Sequence, residues 1–112
     1  MGCNIEAIEK RAKKSMDAIR SAGLVRAKKV AVMLRKKYGA KKVLLFGSLV
    51  RDGYLDERTD IDILVDGVSA NDMLRAGFDA WMVAEPFDVD LIPAKKARKS
   101  LLKVARKEGI EL

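Results

Sequence analysis

The stretch VLLFGSLVRDGYLDERTDIDILV, residues 43–65, contains the features that decide the fold. Residues 43–46 form a short continuous apolar run, which predicts a buried strand. The run ends at Gly47-Ser48, where glycine allows a tight backbone turn and a close approach to a ligand. A polar segment with Gly53 follows and predicts a short helical turn and a loop. Residues 61–65 then predict a second strand.

Two pairs of aspartates follow the strand period. Asp60 and Asp62 lie two residues apart, so their side chains share one face of a strand. A third strand, predicted over residues 87–92, repeats the spacing with Asp88 and Asp90. Neighbouring carboxylates raise one another's pKa, and a bound divalent cation reverses that cost. If the two strands are neighbours, we expect three or four carboxylates on one face, suited to Mg²⁺.

Gly47-Ser48 also suggests an anion site. If residues 49–51 begin a helical turn, their amides and the Ser48 hydroxyl point out of its N-terminus. Arg51 is then placed to reach a phosphate. Taken alone, each motif has an ordinary reading as a capped turn or a solvated sheet face. Together they favour a site for a phosphate and a cation.

Helical periodicity surrounds these strands. Asn4 is a candidate cap for a helix starting at residue 5, Gly23 is a candidate stop or kink, and a second helix then runs to Gly39. Ser69 and Asp72 form an S-x-x-D capping box. They open a helix over residues 70–84 whose large apolar side chains are expected in the core: Met73, Leu74, Phe78, Trp81 and Met82.

A basic helix over residues 94–107 and a short edge strand over 110–112 complete the chain. The predicted fold class is α+β, with a small mixed β-sheet of three to four strands flanked by helices. The length of 112 residues indicates one small domain.

Composition excludes several kinds of site. The chain has no histidine, which rules out Ser-His-Asp and Cys-His catalysis and most zinc sites. Its single cysteine, Cys3, cannot form an internal disulfide, so a reducing, cytoplasmic location is expected. No apolar run approaches the length of a membrane span.

Charge is divided unevenly along the chain, whose net charge is +7. Residues 1–46 carry 13 Lys/Arg and 3 Asp/Glu, residues 47–93 carry 3 and 11, and residues 94–112 carry 7 and 2. An acidic centre between basic arms suits a cation and a polyanion such as a nucleotide triphosphate or RNA. Most individual lysines are nevertheless typical of solvated helix faces.

Gly47-Ser48 followed by Asp60-x-Asp62 resembles the motif of the nucleotidyltransferase superfamily, with its DNA polymerase β-like fold. It resembles in particular the minimal nucleotidyltransferases (MNT) of prokaryotes. The resemblance covers about residues 27–112, with Thr59 where the family often has serine. We therefore divide the chain into an N-terminal helical extension, 1–23, and a nucleotidyltransferase domain, 24–112. The extension is expected to pack on the domain, with docking of a partner as the alternative.

The resemblance implies roles for the motif residues. Gly47 and Ser48, with Arg51, are expected to bind the phosphates of the nucleotide. The family's paired aspartates hold two Mg²⁺ ions, which implies that role for Asp60 and Asp62. The third carboxylate, which also binds metal and helps activate the acceptor hydroxyl, is Asp90 or Asp88. We favour Asp90 because Leu91-Ile92 follow it as in the family.

The family also implies an acceptor. Such proteins transfer AMP from ATP to a macromolecule, and many are antitoxins that modify a tyrosine of a small helical HEPN toxin. An RNA acceptor and a homodimer are also open. One alternative is a non-catalytic module of the same fold that acts by contact with a protein or RNA. Another is a basic nucleic-acid-binding protein without catalysis.

Overall fold

The computed structural model describes residues 5–56 and 58–112. Its order is α1 (Ile5–Tyr38), β1 (Lys42–Phe46), β2 (Ile61–Asp66), α2 (Met73–Ala84), β3 (Val89–Pro93), α3 (Lys99–Glu108) and β4 (Ile110–Glu111). Short 3₁₀ turns occupy Gly47–Leu49, Ala70–Asp72 and Ala94–Lys96. The predicted α+β class is confirmed, and the sheet has four strands, where three to four were predicted.

The strands form one mixed sheet in the order β3-β2-β1-β4. β1 pairs antiparallel with both β2 and β4, whereas β2 and β3 run parallel. In this register Phe46 lies opposite Asp62, and Asp62 lies opposite Asp90. The two acidic strands are therefore neighbours, which meets the condition set for carboxylates to gather on one face.

The two faces of the sheet have different coverings. α1 and α2 cover one face, where the alternate strand residues are almost fully buried: Val43, Leu45, Ile61, Ile63 and Val65. α3 covers the other face, where Leu44, Phe46 and Leu64 pack with Ala105. Alternation along β2 puts Asp62 on this second face, so the carboxylate lies beside α3 while its neighbours anchor the core.

α1 is a single helix, and the prediction of two helices separated at Gly23 is wrong. Gly23 is buried, and a Cβ placed there would lie 2.8 Å from Leu49 Cδ2. The glycine therefore serves close packing against the 3₁₀ turn that follows β1, which periodicity cannot distinguish from a helix end. The proposed cap, Asn4, lies outside the described residues.

At 34 residues, α1 is about 50 Å long. The described structure extends 61 × 28 × 17 Å, so the helix sets its long dimension. Across the part of the chain that the structure describes, no helix combines the length and apolarity needed to cross a membrane.

The predicted burial of α2 is largely wrong. Its solvent face carries large apolar side chains, with exposed fractions of 90% for Leu74, 59% for Phe78, 48% for Trp81 and 57% for Met82. The buried face is made of Ala76, Ala80 and Ala84, which are fully buried. Because alanine side chains are small, α2 can pack closely against α1, and the alanine face is the buried one. Met73 does pack against the core.

The starts of two helices also differ from prediction. The Ser69 hydroxyl donates to Asp72 Oδ2 (3.0 Å) and makes no hydrogen bond to a backbone N–H. A 3₁₀ turn over Ala70–Asp72 therefore precedes α2. The basic helix predicted from residue 94 is likewise a 3₁₀ turn followed by α3.

Asp79 connects α2 to the end of α1. Lys37 Nζ donates to Asp79 Oδ2 at 2.6 Å, and the Tyr38 hydroxyl donates to the same oxygen. These hydrogen bonds, first from Lys37 and then from Tyr38, lower the pKa of Asp79 from its ordinary 3.8. The hydrogen bond to Asp79 also raises the pKa of Lys37 from 10.5. Both groups therefore stay charged over a wider pH range than their ordinary pKa values would allow.

We expect Asp79→Asn to lower the melting temperature at pH 7 by a few degrees. A carboxyl with a depressed folded pKa stabilises the protein above its unfolded pKa and loses that effect as the pH falls. The difference between wild type and variant should therefore shrink below pH 4. Thermal unfolding followed by circular dichroism measures both effects. Asp17→Asn, on the exposed part of α1, is the control, and an equal loss in both variants would contradict the assignment.

Candidate active site

Gly47 and Asp62 are in direct contact at the end of β1. Gly47 begins the 3₁₀ turn with φ +82°, a conformation that favours glycine. A Cβ at this position would lie 2.2 Å from Asp62 Oδ2. The absence of a side chain at Gly47 therefore lets the turn lie directly against the carboxylate.

Asp62 and Asp90 face each other across the parallel strands β2 and β3. Strand neighbours are about 4.8 Å apart, which brings the two carboxylates close together. The pKa of Asp62 is raised to about 6, first by burial and then by the charges of Asp90 and Asp60. Arg51 acts in the opposite direction and lowers it. The site therefore concentrates negative charge that a cation would relieve.

Asp90, and not Asp88, is the strand partner of Asp62. Asp88 precedes β3, and its backbone carbonyl accepts a hydrogen bond from Ile61 N (2.9 Å). Asp90 lies directly opposite Asp62 and is among the charges that raise its pKa, whereas Asp88 is not. Of these two aspartates, Asp90 is therefore the one that the strand pairing places beside Asp62.

Asp60 lies just before β2, with its residue exposed. The turn leading to it is closed by Thr59, whose Oγ1 accepts a hydrogen bond from Asp56 N (3.0 Å). Thr59 N donates in turn to Asp56 O (3.1 Å). The Thr59 hydroxyl, at the position where the family often has serine, therefore stabilises the loop that precedes Asp60.

An open cleft of about 350 Å³ lies between the turn and α3. It is lined by Phe46, Gly47, Ser48, Arg51, Asp62, Ser100, Leu101 and Val104. This volume is within the range of small-molecule sites. The structure therefore brings all three predicted nucleotide-binding residues and Asp62 to one cleft.

The carboxylates provide the oxygen donors that Mg²⁺ prefers. The mutual repulsion at Asp62 fits a divalent cation at this place. In residues 5–56 and 58–112, however, no group of three or more His, Cys, Asp or Glu is gathered into a ready metal site. The structure pairs Asp62 with Asp90 and leaves Asp60 at the edge of the pair.

Two residues that form hydrogen bonds with Arg51 were not predicted from the sequence. Arg51 Nε donates to Glu108 Oε2 (2.8 Å) at the end of α3, and Arg20 of α1 donates to the Arg51 carbonyl (2.9 Å). Arg20 is one of many basic residues on α1, and no local pattern distinguishes it. Glu108 precedes the helix-ending Gly109, and only the tertiary structure brings it to Arg51.

We expect Gly47→Ala to destabilise the protein more than Gly39→Ala does. Gly39 also has a positive φ, +70°, but nothing lies within 4 Å of the Cβ that alanine would add. The control therefore bears only the backbone cost, about 1 kcal/mol. Gly47→Ala adds the clash with Asp62, about 1 kcal/mol or more. Urea unfolding measures both, and equal losses would show that the close contact is unimportant.

We expect Asp62→Asn to stabilise the metal-free protein at pH 8. The folded pKa of about 6 exceeds the ordinary 3.8, so stability falls as the pH rises from about 4 to 6. Removing the charge recovers on the order of 1 kcal/mol, after allowance for screening by solvent. The gain should vanish at pH 4. Asp66→Asn, at the exposed end of β2, is the control for urea unfolding at each pH.

Comparison with known proteins identifies the family of the chain. The family model of the nucleotidyltransferase domain matches residues 27–112. A search of curated proteins gave no match.

Solved structures share the fold. A protein described as a minimal nucleotidyltransferase is 24% identical with a TM-score of 0.65, over 88% of this chain and 96% of its own. A tri-AMPylated Shewanella oneidensis HEPN toxin in complex with MNT antitoxin matches at 22% identity and TM-score 0.60, over 80% and 70%. A toxin–antitoxin with AMP-PNP matches at 22% and 0.63, over 76% and 70%. Because the family model covers most of the chain, the protein belongs to the nucleotidyltransferase-domain family and is an enzyme of the nucleotidyl-transfer class.

Proposed function

We propose that this protein transfers AMP from ATP, with Mg²⁺, to a macromolecular acceptor. The observation that carries the proposal is the contact between the Gly47 turn and Asp62, which faces Asp90 across the strands. The turn and Asp62 line one cleft, and Asp90 lies opposite Asp62 on the next strand. Phosphoryl transfer uses this combination of a turn suited to phosphate and paired carboxylates.

Each residue has a role in this proposal. Ser48 and the amides of the turn bind the triphosphate, and Arg51 adds a positive charge beside it. Asp60 and Asp62 would hold the metal, for which we infer two ions, and Asp90 would be the third carboxylate ligand. When bound, Mg²⁺ neutralises charge on the phosphate oxygens and on the leaving group.

The reaction follows from these positions. The acceptor hydroxyl forms a bond to the α-phosphorus of ATP, and the bond from that phosphorus to the bridging oxygen breaks. Pyrophosphate leaves, and the hydroxyl proton passes to Asp90. The acceptor retains AMP, so all atoms of ATP are accounted for.

We infer that the acceptor is a helical protein of the HEPN type. A solved structure with the same fold contains a tri-AMPylated HEPN toxin bound to MNT antitoxin, and another contains AMP-PNP. The open cleft is compatible with a macromolecular acceptor, because the hydroxyl can enter from solvent. An RNA acceptor remains the second candidate, supported by the seven Lys/Arg in residues 94–112.

Nucleotide binding gives the first test. AMP-PNP with Mg²⁺ should raise the melting temperature of the wild type, and the shift should disappear in Asp60→Ala/Asp62→Ala. Asp66→Ala, on the same strand, should retain it. A shift that survives in the double variant would contradict the proposed metal ligands, and no shift in the wild type would contradict the nucleotide site.

Label transfer tests the reaction itself. Adding the protein to a cell extract should label an acceptor from ATP labelled at the α-phosphate. With ATP labelled at the γ-phosphate, it should add no label beyond that of the extract alone. Protease sensitivity of the label indicates a protein acceptor, and nuclease sensitivity indicates RNA. Transfer from the γ-position that depends on the added protein would contradict nucleotidyl transfer, and Asp62→Ala should reduce α-transfer by about a hundredfold or more.

A further inference from the structure

The 3₁₀ turn that carries Gly47 and Ser48 has little structure of its own. It is three residues long, and Val50 N donates to Gly47 O (3.1 Å) across it. Such short turns are not stable alone, because too few hydrogen bonds offset the backbone ordering. The conformation of the turn therefore depends on what packs around it.

Arg20 of α1 holds two consecutive parts of this segment. Its Nε donates to the Leu49 carbonyl (3.3 Å), and its Nη2 donates to the Arg51 carbonyl (2.9 Å). A guanidinium presents several donors in a fixed planar fork, so one side chain can fix both carbonyls at once. Lysine has a single ammonium on a flexible stem and cannot reproduce this geometry.

Gly23, three residues further along α1, provides a second contact. Leu49 is 2% exposed, and its methyl groups lie so close to the helix that a Cβ at Gly23 would be 2.8 Å and 2.9 Å from them. The Leu49 side chain of the turn therefore packs directly against the backbone of α1 at Gly23. Arg20 and Gly23 approach the turn from the same helix.

The other end of the segment is held by α3. Arg51 Nε is paired with Glu108 Oε2 at 2.8 Å, while the carbonyl of Arg51 is bound by Arg20. Arg51 is also close enough to Asp62 to lower its pKa. The segment 47–51 is therefore held by α1 through Arg20 and by α3 through Glu108, with the Arg51 side chain near Asp62.

Arg20 lies outside the residues matched by the family model, which begin at 27. We propose that Arg20 is a positioning residue for the nucleotide site: it holds the turn 47–51 in the conformation that receives the triphosphate. This role rests on the proposed function. The N-terminal extension is thereby part of the site, which favours packing on the domain over a separate docking role.

The test compares Arg20→Ala, Arg20→Lys and Arg11→Ala. Arg11 is exposed on the same helix, so its replacement removes the same charge without touching the turn. Affinity for AMP-PNP with Mg²⁺ is measured by calorimetry. Hydrogen–deuterium exchange of residues 47–51 is measured in the nucleotide-free protein.

Arg20→Ala should weaken AMP-PNP binding about tenfold and speed exchange at 47–51, as expected for the loss of two hydrogen bonds. Arg20→Lys should fall between Arg20→Ala and wild type, and Arg11→Ala should match wild type. In steady-state transfer, Arg20→Ala should raise KM for ATP more than it lowers kcat, because Arg20 does not touch the reacting atoms.

Three results would overturn the inference. The first is unchanged binding and exchange in Arg20→Ala. The second is equal weakening in Arg20→Ala and Arg11→Ala, which would indicate charge attraction alone. The third is AMP-PNP affinity and exchange in Arg20→Lys that are identical to those of the wild type, which would show that the planar guanidinium is not needed. This third result also serves as the test if Arg20→Ala does not fold.

Failure of the proposed function gives a different result. If the wild type does not bind AMP-PNP, the nucleotide site is wrong, and a nucleotide role for Arg20 falls with it. Exchange at 47–51 still shows in that case whether Arg20 fixes the turn.

Discussion

The register between β2 and β3 is the constraint on which the site depends. It places Asp62 opposite Asp90, and the antiparallel pairing with β1 brings the Gly47 turn against the same carboxylate. The strand pairing is set by backbone hydrogen bonds, so the backbones that carry the two aspartates stay next to each other despite the repulsion between the carboxylates. The buried residues on the other face of β2, Ile61 and Ile63, anchor the strand in the core and offset that cost.

The long helix α1 connects this constraint to the rest of the fold. Its C-terminal half packs under the sheet, its end is tied to α2 through Asp79, and its middle contacts the Gly47–Leu49 turn. One helix therefore supports both the core and the nucleotide turn. The family match begins at residue 27, inside this helix, although the helix itself is continuous from Ile5 to Tyr38.

The sequence predicted the elements whose signals are local. Alternation identified β2 with its carboxylates, and Gly47-Ser48 identified the turn, because strand period and backbone freedom are properties of neighbouring residues. The buried face of α2 could not be predicted in this way. That helix has one face of alanines and one of large apolar residues, and hydrophobicity alone selects the wrong face. Gly23 and Arg20 act on residues 26 or more positions away, and nothing near them in the chain signals it.

The solvent face of α2 has a spectroscopic consequence. Trp81 is the single tryptophan of the chain, and it lies on this face with its ring 5.9 Å from that of Phe78. Trp81 is 48% exposed, so its emission reports the surface of α2 and the neighbouring ring more directly than it reports the sheet core. A molecule that covers α2 would remove water from the indole and should shift that emission.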